Sequence, residues 1–303
     1  MANRLSNLLH YQKSTLKKTV VAIGEILWDV LPDQKKAGGS SMNVALNLHK
    51  QNINSKFISA IGDDKDGKEL KDFLKNENFP SDLIQVNDLP TSTVNVKLDE
   101  LLQATYTIVE PVAWDKILLT QQLINEVKNA DALVYCSLTC RDEQSRNTIL
   151  SLLEEAKLKI FDINLRAPFY NNSTLEILLS YADILKVNDE ELLILKSAFG
   201  LTGNDNEQLL KQLGKQFNIA TICLTLGANG AQILHEEKLY HHKGYRVKVA
   251  DTVGAGDAFL ATFVASYLNG FPMDTILDRA CKVGSFVASQ HGANPPYGET
   301  IFE

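Results

Sequence analysis

The chain alternates short β-branched apolar runs with longer segments of helical periodicity. The runs are TVVAIGEI (19–26), KFISAIG (56–62), ALVYCSL (132–138), KIFDIN (159–164), ILKVN (184–188) and TICLTLG (221–227). Apolar residues recur at helical spacing over 43–50, 65–77, 115–130 and 142–156. Strands alternating with helices predict the α/β class, a mostly parallel sheet with helices on both faces. Ligands of such sheets bind beyond the carboxyl ends of the strands, so the residues after each run are where chemistry is expected. A further helix opens at Gly254, with Phe259, Phe263, Val264, Tyr267 and Leu268 on one face and Gly270 and Pro272 as its stop.

One segment breaks the alternation. TVNVKL (93–98) and ATYTIVE (104–110) alternate polar and apolar residues with no helix between them. Two strands alone are marginally stable, so this pair is expected to pack on the body, extend small strands near Gly38, or meet a partner subunit. It reads either as a lid or as a plain surface hairpin.

Composition narrows the class. With 303 residues and 45% hydrophobic content, the chain suits one large domain with a small appendage. Thirty basic against 37 acidic residues give a net charge of −7, so neither a nucleic-acid footprint nor a polybasic membrane patch is expected, and a small-molecule partner is. Residues 1–17 read as a loose extension. The apolar run that follows carries Glu25 and Asp29, which argues against both a signal peptide and a membrane span. Four scattered cysteines suit reduced thiols in a cytoplasm. Cys136 and Cys140 are spaced C-x3-C, but no second ligand pair follows, so no metal site is expected there.

Gly62 to Glu69 (GDDKDGKE) nearly spells a phosphate loop, yet Glu69 replaces the hydroxyl that would hold magnesium, and Asp63, Asp64 and Asp66 would repel phosphate. The first strand is not followed by G-x-G-x-x-G, which argues against a nicotinamide dehydrogenase. Polar residues do gather after the runs. Asp29 and Asn43 flank the pair Gly38-Gly39 and have the donors and acceptors that a polyol needs, or else serve as turn and cap. FDINLR brings Asp162, Asn164 and Arg166, whose cation can neutralise an anionic group. Asn188 and Glu191, three apart, can share a helical face and hold a hydrated magnesium, or Glu191 is a first-turn acid on a solvated helix. Thr225, Gly227 and Gly230 suit either a nucleotide packed on bare backbone or a hairpin turn. In DTVGAGDAF, Gly254, Ala255 and Gly256 open a helix whose free amides attract anions. Asp257 in that loop is either a helix cap or a group facing a second reactant.

In this order the pieces resemble the ribokinase-like (PfkB) family of carbohydrate kinases over about residues 18–300, and its fructokinase branch most closely. The most specific motif is D-T-x-G-A-G-D, here Asp251, Thr252, Gly254, Ala255, Gly256 and Asp257. The double glycine followed by Asn43, N-x-x-E at Asn188 and Glu191, and T-x-G-x-x-G at Thr225, Gly227 and Gly230 also match. GEILWD, FDINLR and Ala113-Trp114-Asp115 look like fructokinases. Ser40 and Ser41 depart from the family's usual alanine and proline, and Leu101 and Leu102 stand where small or polar residues are usual.

The resemblance implies a three-layer ribokinase-like sandwich over residues 18–303, with lid strands inserted at about 30–38 and 90–112. It implies ATP-dependent phosphorylation of a sugar hydroxyl, most closely that of fructose, in the cytoplasm. Asp257 would be the base and Gly254, Ala255 and Gly256 the anion loop. Asp29, Gly38, Gly39, Asn43 and Arg166 would hold the sugar. Asn188, Thr225, Gly227, Gly230, Ala288 and His291 would line the nucleotide. Asn188 and Glu191 would hold Mg2+ through water, and the carbonyls near Asp251 would hold K+. The lid strands offer edges for a homodimer. The alternatives are a 2-keto-3-deoxygluconate kinase, with Arg166 or a lid residue pairing the acid, and a nucleotide- or sugar-binding regulator without turnover.

Overall fold

The computed structural model describes residues 17–30, 34–98 and 104–302. In chain order the strands are β1 (Thr19–Ile23), β2 (Leu27–Val30), β3 (Lys35–Gly38), β4 (Asn54–Gly62), β5 (Ile84–Asn87), β6 (Ser92–Leu98) and β7 (Ala104–Ile108). They continue with β8 (Ala132–Cys136), β9 (Lys159–Asp162), β10 (Ile184–Asn188), β11 (Thr221–Thr225), β12 (Ala231–His235) and β13 (Lys238–His242). The helices are α1 (Ser40–Lys50), α2 (Lys65–Asn76), α3 (Gln121–Asn129), α4 (Glu143–Glu155) and α5 (Asn172–Tyr181). After them come α6 (Asp189–Phe199), α7 (Asn206–Phe217), α8 (Ala255–Leu268) and α9 (Met273–Ala288).

Nine strands form one sheet in the order β13-β12-β11-β10-β9-β8-β1-β4-β5. The pairs from β11 through β5 are parallel, and β12 and β13 are added antiparallel. Successive side chains of a strand point to opposite faces, so a continuous apolar run supplies both faces at once. Val21 and Ile23 of β1 pack with α3 to α7, whereas Val20 and Ala22 pack with α1, α2, α8 and α9. The result is the three-layer α/β arrangement that the alternation predicts.

The second sheet has the order β3-β2-β6-β7, with β2 parallel to β6 and the outer pairs antiparallel. The two expected lid strands therefore extend the small strands near Gly38. The lid starts earlier than 30, at Leu27. The run TVVAIGEI is not one strand: it breaks after Ile23, where Gly24 donates its N–H to Ile58 O and the chain turns into the lid. The connection 99–103, with Leu101 and Leu102, lies outside the described residues, as do residues 1–16.

The helix expected over 115–130 is also shorter. Ala113–Lys116 form a single 3-10 turn, and α3 begins only at Gln121, capped by the Thr120 side chain accepting from Leu123 N. Tertiary contacts override the periodicity here. Trp114 is fully buried, and Asp115 takes a bidentate bond from Arg141 at 2.7 and 2.8 Å while accepting from Val112 N. In the GDDKDGKE loop, Asp64 caps α2 by accepting from Gly67 N at 2.7 Å and also accepts from Thr91 N at 2.8 Å. That loop is thus a helix start held by a carboxylate.

Candidate active site

The parallel register lines up the carboxyl ends of the central strands. Cys136 pairs with Asp162, Asp162 with Lys186, and Asn188 with Thr225. Lys186 Nζ bonds Asp162 Oδ1 at 2.9 Å, and both side chains are buried. A side chain on Gly256 would place its Cβ 3.3 Å from that ammonium. The Lys186 charge therefore lies directly under the glycine loop of α8. Burial works against that charge, but Asp162, Glu191 and Asp257 together push its pKa up.

Gly254 enters α8 with φ of +79°, and a Cβ there would meet Ala293 Cβ at 2.5 Å, so only glycine fits. Ala255 N–H is spent on Thr252 O. The first-turn amides of Gly256 and Asp257 have no carbonyl one turn back inside the helix, which is the geometry of an anion site.

Asp257 stands three residues after the N-cap, yet its carboxylate turns away from its own helix. Oδ1 accepts from Ser40 Oγ at 2.7 Å, and Oδ2 accepts from Asn43 Nδ2 at 2.8 Å. Both donors come from α1. The carboxylate is thus held between α8 and α1, whose first residue is separated from the lid strand β3 by Gly39 alone. Burial first, and then the Asp162 charge, push its pKa up to about 6, against Lys186 and the two donors. That is the range in which a base works near neutrality.

A family model described as pfkB family carbohydrate kinase matches residues 18–300. The chain belongs to that family. The enzyme is therefore a phosphotransferase acting on a hydroxyl acceptor. Fructokinase of Salmonella typhimurium is 28% identical over 272 residues, covering 84% of this chain and 86% of its own. A solved double-cysteine variant of fructokinase from Vibrio cholerae O395, with fructose, ADP and potassium bound, is 25% identical. It covers 96% of this chain and 98% of its own, at a TM-score of 0.81. The 2-dehydro-3-deoxygluconokinase of Thermotoga maritima shares the fold at a TM-score of 0.83 and 15% identity, covering 96% and 98%.

On the lid side of this kinase, Asp29 Oδ2 packs over Gly38, where a Cβ would lie 2.4 Å from it. Burial and then the charge of Asp251 raise the Asp29 pKa to about 6, opposed by Lys36. Asn43 is no cap: Gly39 is the N-cap of α1, with φ of +112°. The Asn43 Oδ1 accepts from Asn294 Nδ2 at 2.7 Å, which fixes which end of the amide faces Asp257.

On the opposite side, Asn188 caps α6, and Glu191 completes a capping box. Its Oε2 accepts from Asn188 N and its Oε1 from Leu165 N. Glu191 is a first-turn acid but a buried one, 4% exposed, so it does not lie on a solvated face. Among the described residues no cluster of three His, Cys, Asp or Glu side chains could hold a metal ion. Thr225 ends β11, and Gly227 opens a 3-10 turn with φ of +54°. Gly230 is required by the hairpin itself, because a Cβ would meet His242 O at 2.0 Å. Asp251 accepts from Val253 N and Gly292 N, and Ala288 O accepts from Ala250 N and Asp251 N. These bonds stitch the anion loop to the 288–292 turn, where His291 is exposed. Arg166 is exposed and folds back onto Leu165 O.

Sequence reasoning marked Ser40 only as a departure beside the sugar pocket, not as a partner of Asp257, and it missed Lys186, Glu25 and Asn294 as parts of the site. Of these three, two carried a signal: a lysine and a glutamate inside apolar runs are buried only when paired. Glu25, 1% exposed, accepts from Ser41 Oγ, Thr139 Oγ1 and Cys136 Sγ and so anchors the start of α1. Among the described residues no helix is long and apolar enough to cross a membrane.

Proposed function

We propose that this kinase transfers the γ-phosphoryl group of ATP to a hydroxyl of fructose. The observation that carries the reading is the Asp257 carboxylate, held by two donors of α1 beside the glycine loop of α8. Asp257 accepts the proton of the sugar hydroxyl as that oxygen bonds the γ-phosphorus and the bond to the β-phosphate oxygen breaks. The amides of Gly256 and Asp257 face the transferring group, and Lys186 adds positive charge beneath them. Asp29, Gly38, Gly39 and Asn43 hold the sugar, and the lid excludes water that would otherwise take the phosphate. Thr225, Gly227, Ala288 and His291 lie along the nucleotide.

Magnesium fits as a hydrated ion. Each Glu191 oxygen already accepts one backbone N–H and keeps one lone pair, with which it would hold a water of the ion. When bound it neutralises phosphate charge. Backbone carbonyls near Asp251 would suit a potassium ion. The four free, scattered cysteines support a cytoplasmic location, which we propose for the enzyme.

The test is ADP release from ATP and Mg2+ with fructose, 2-keto-3-deoxygluconate, ribose or no acceptor. Turnover with fructose is expected. Turnover only with the acid sugar moves the substrate, and silence with every acceptor from protein that binds nucleotide makes it a regulator. The lid edges β3 and β7 are also proposed to close a homodimer. Sedimentation should then give twice the chain mass at micromolar protein, and a single-chain mass at every concentration removes the dimer.

A further inference from the structure

Ser40 opens α1, and its hydroxyl donates to Asp257 Oδ1 at 2.7 Å across 217 residues of sequence. The turn before it has little freedom. A side chain on Gly39 would strike Glu25 O at 2.4 Å, and the next residue, Ser41, bonds Glu25 through its N–H at 3.3 Å and its hydroxyl at 3.1 Å. Ser40 is therefore aimed at α8 by fixed neighbours on both sides. The other oxygen of Asp257 belongs to Asn43, which Asn294 locks in place, and Asn294 Oδ1 in turn accepts from Asn47 Nδ2. The two donors differ in kind: the amide is clamped, whereas a hydroxyl rotates about one bond and both donates and accepts.

We propose that Ser40 is a positioning residue of the phosphoryl transfer: its hydroxyl keeps Asp257 ionised and aimed, and so sets the lowest pH at which the kinase turns over. The inference rests on Asp257 being the base. Three charged groups act around it. Asp162 on β9 disfavours the ionised carboxylate, Lys186 on β10 favours it, and Glu191 on α6 acts through Lys186. From α1, Asp257 receives only the neutral donors Ser40 and Asn43. Burial and Asp162 already pull toward the neutral acid, so the balance is close. A hydrogen bond donated to the charged form favours that form, and losing it raises the pKa.

The experiment compares wild type, Ser40→Ala and Ser40→Thr in kcat and kcat/KM between about pH 5 and 9, with the sugar that the acceptor panel identifies. Ser40→Ala is expected to move the acid limb up by about one pH unit. The loss would be about tenfold below pH 6 and would fade above pH 8, while Ser40→Thr keeps the wild-type limb. Superimposed limbs, or an equal loss at every pH, would overturn the proposal. A second readout needs no turnover: 13C NMR titration of the Asp257 carboxyl, assigned through its disappearance in Asp257→Asn. An upward shift of that midpoint in Ser40→Ala supports the hold on Asp257 even if no sugar reacts, a result that would sink the kinase reading instead. An unmoved midpoint sinks the inference whatever the activity.

Discussion

Asp257→Asn is expected to leave the kinase folded and to cost at least about a hundredfold in kcat, with little change in KM. The reasoning starts from the two bonds to α1. Because the carboxylate bonds Ser40 and Asn43 rather than an amide of its own helix, its removal does not uncap α8. The pKa adds a sign. An acid whose folded pKa is raised binds more protons folded than unfolded, so its contribution to stability falls as pH rises from its unfolded value near 3.8 toward about 6. Neutral asparagine removes that cost, and the variant should melt no lower than wild type at pH 8. Wild-type kcat should rise with pH through the same region, because only the ionised carboxylate takes the proton. Steady-state kinetics beside thermal melting checks both halves. A variant that unfolds, with normal kcat in its folded fraction, would return Asp257 to the role of a structural cap.

Lys186→Met should be the most destabilising single change at the site, by about 3–5 kcal/mol, because it strands the Asp162 carboxylate in the sheet. Lys186 Nζ is 2.9 Å from Asp162 Oδ1, and the buried Oδ2 has no hydrogen-bond partner among the described residues, so nothing nearby replaces the ammonium. Lys186→Met with Asp162→Asn removes both charges and should recover most of the loss in a urea titration. It should not recover kcat. The ammonium lies under Gly256, so its removal takes positive charge from beneath the transferring group. We expect the folded double variant to stay down by about tenfold, equivalent to about 1.4 kcal/mol of transition-state stabilisation. Wild-type kcat in the double variant would make the pair purely structural.

Much of the site was legible in the sequence because its chemistry is written in local order. The β-branched runs and helical segments by themselves determined an α/β sheet, and a parallel sheet puts its ligands beyond its carboxyl ends. Paired glycines before Asn43 and the DTVGAGD stretch marked two loops where backbone must come close to something else. Periods of 2 and 3.6 residues are local properties, so they survive in any window of the chain.

Tertiary structure decided the rest. Asp257 could be read as a cap until α1 was seen to supply both its donors from more than 200 residues away. Lys186 was hidden inside a strand run, and only the β9–β10 register set it against Asp162 and under Gly256. Glu191 looked solvated by its position in a first turn, but the packing of α6 against the segment at Leu165 buried it. The helix expected from 115 failed because Arg141, 26 residues on, claimed Asp115. In each case the deciding partner lies far along the chain. Its effect is electrostatic or steric over a few ångströms, which depends on strand register and helix docking rather than on the order of neighbouring residues.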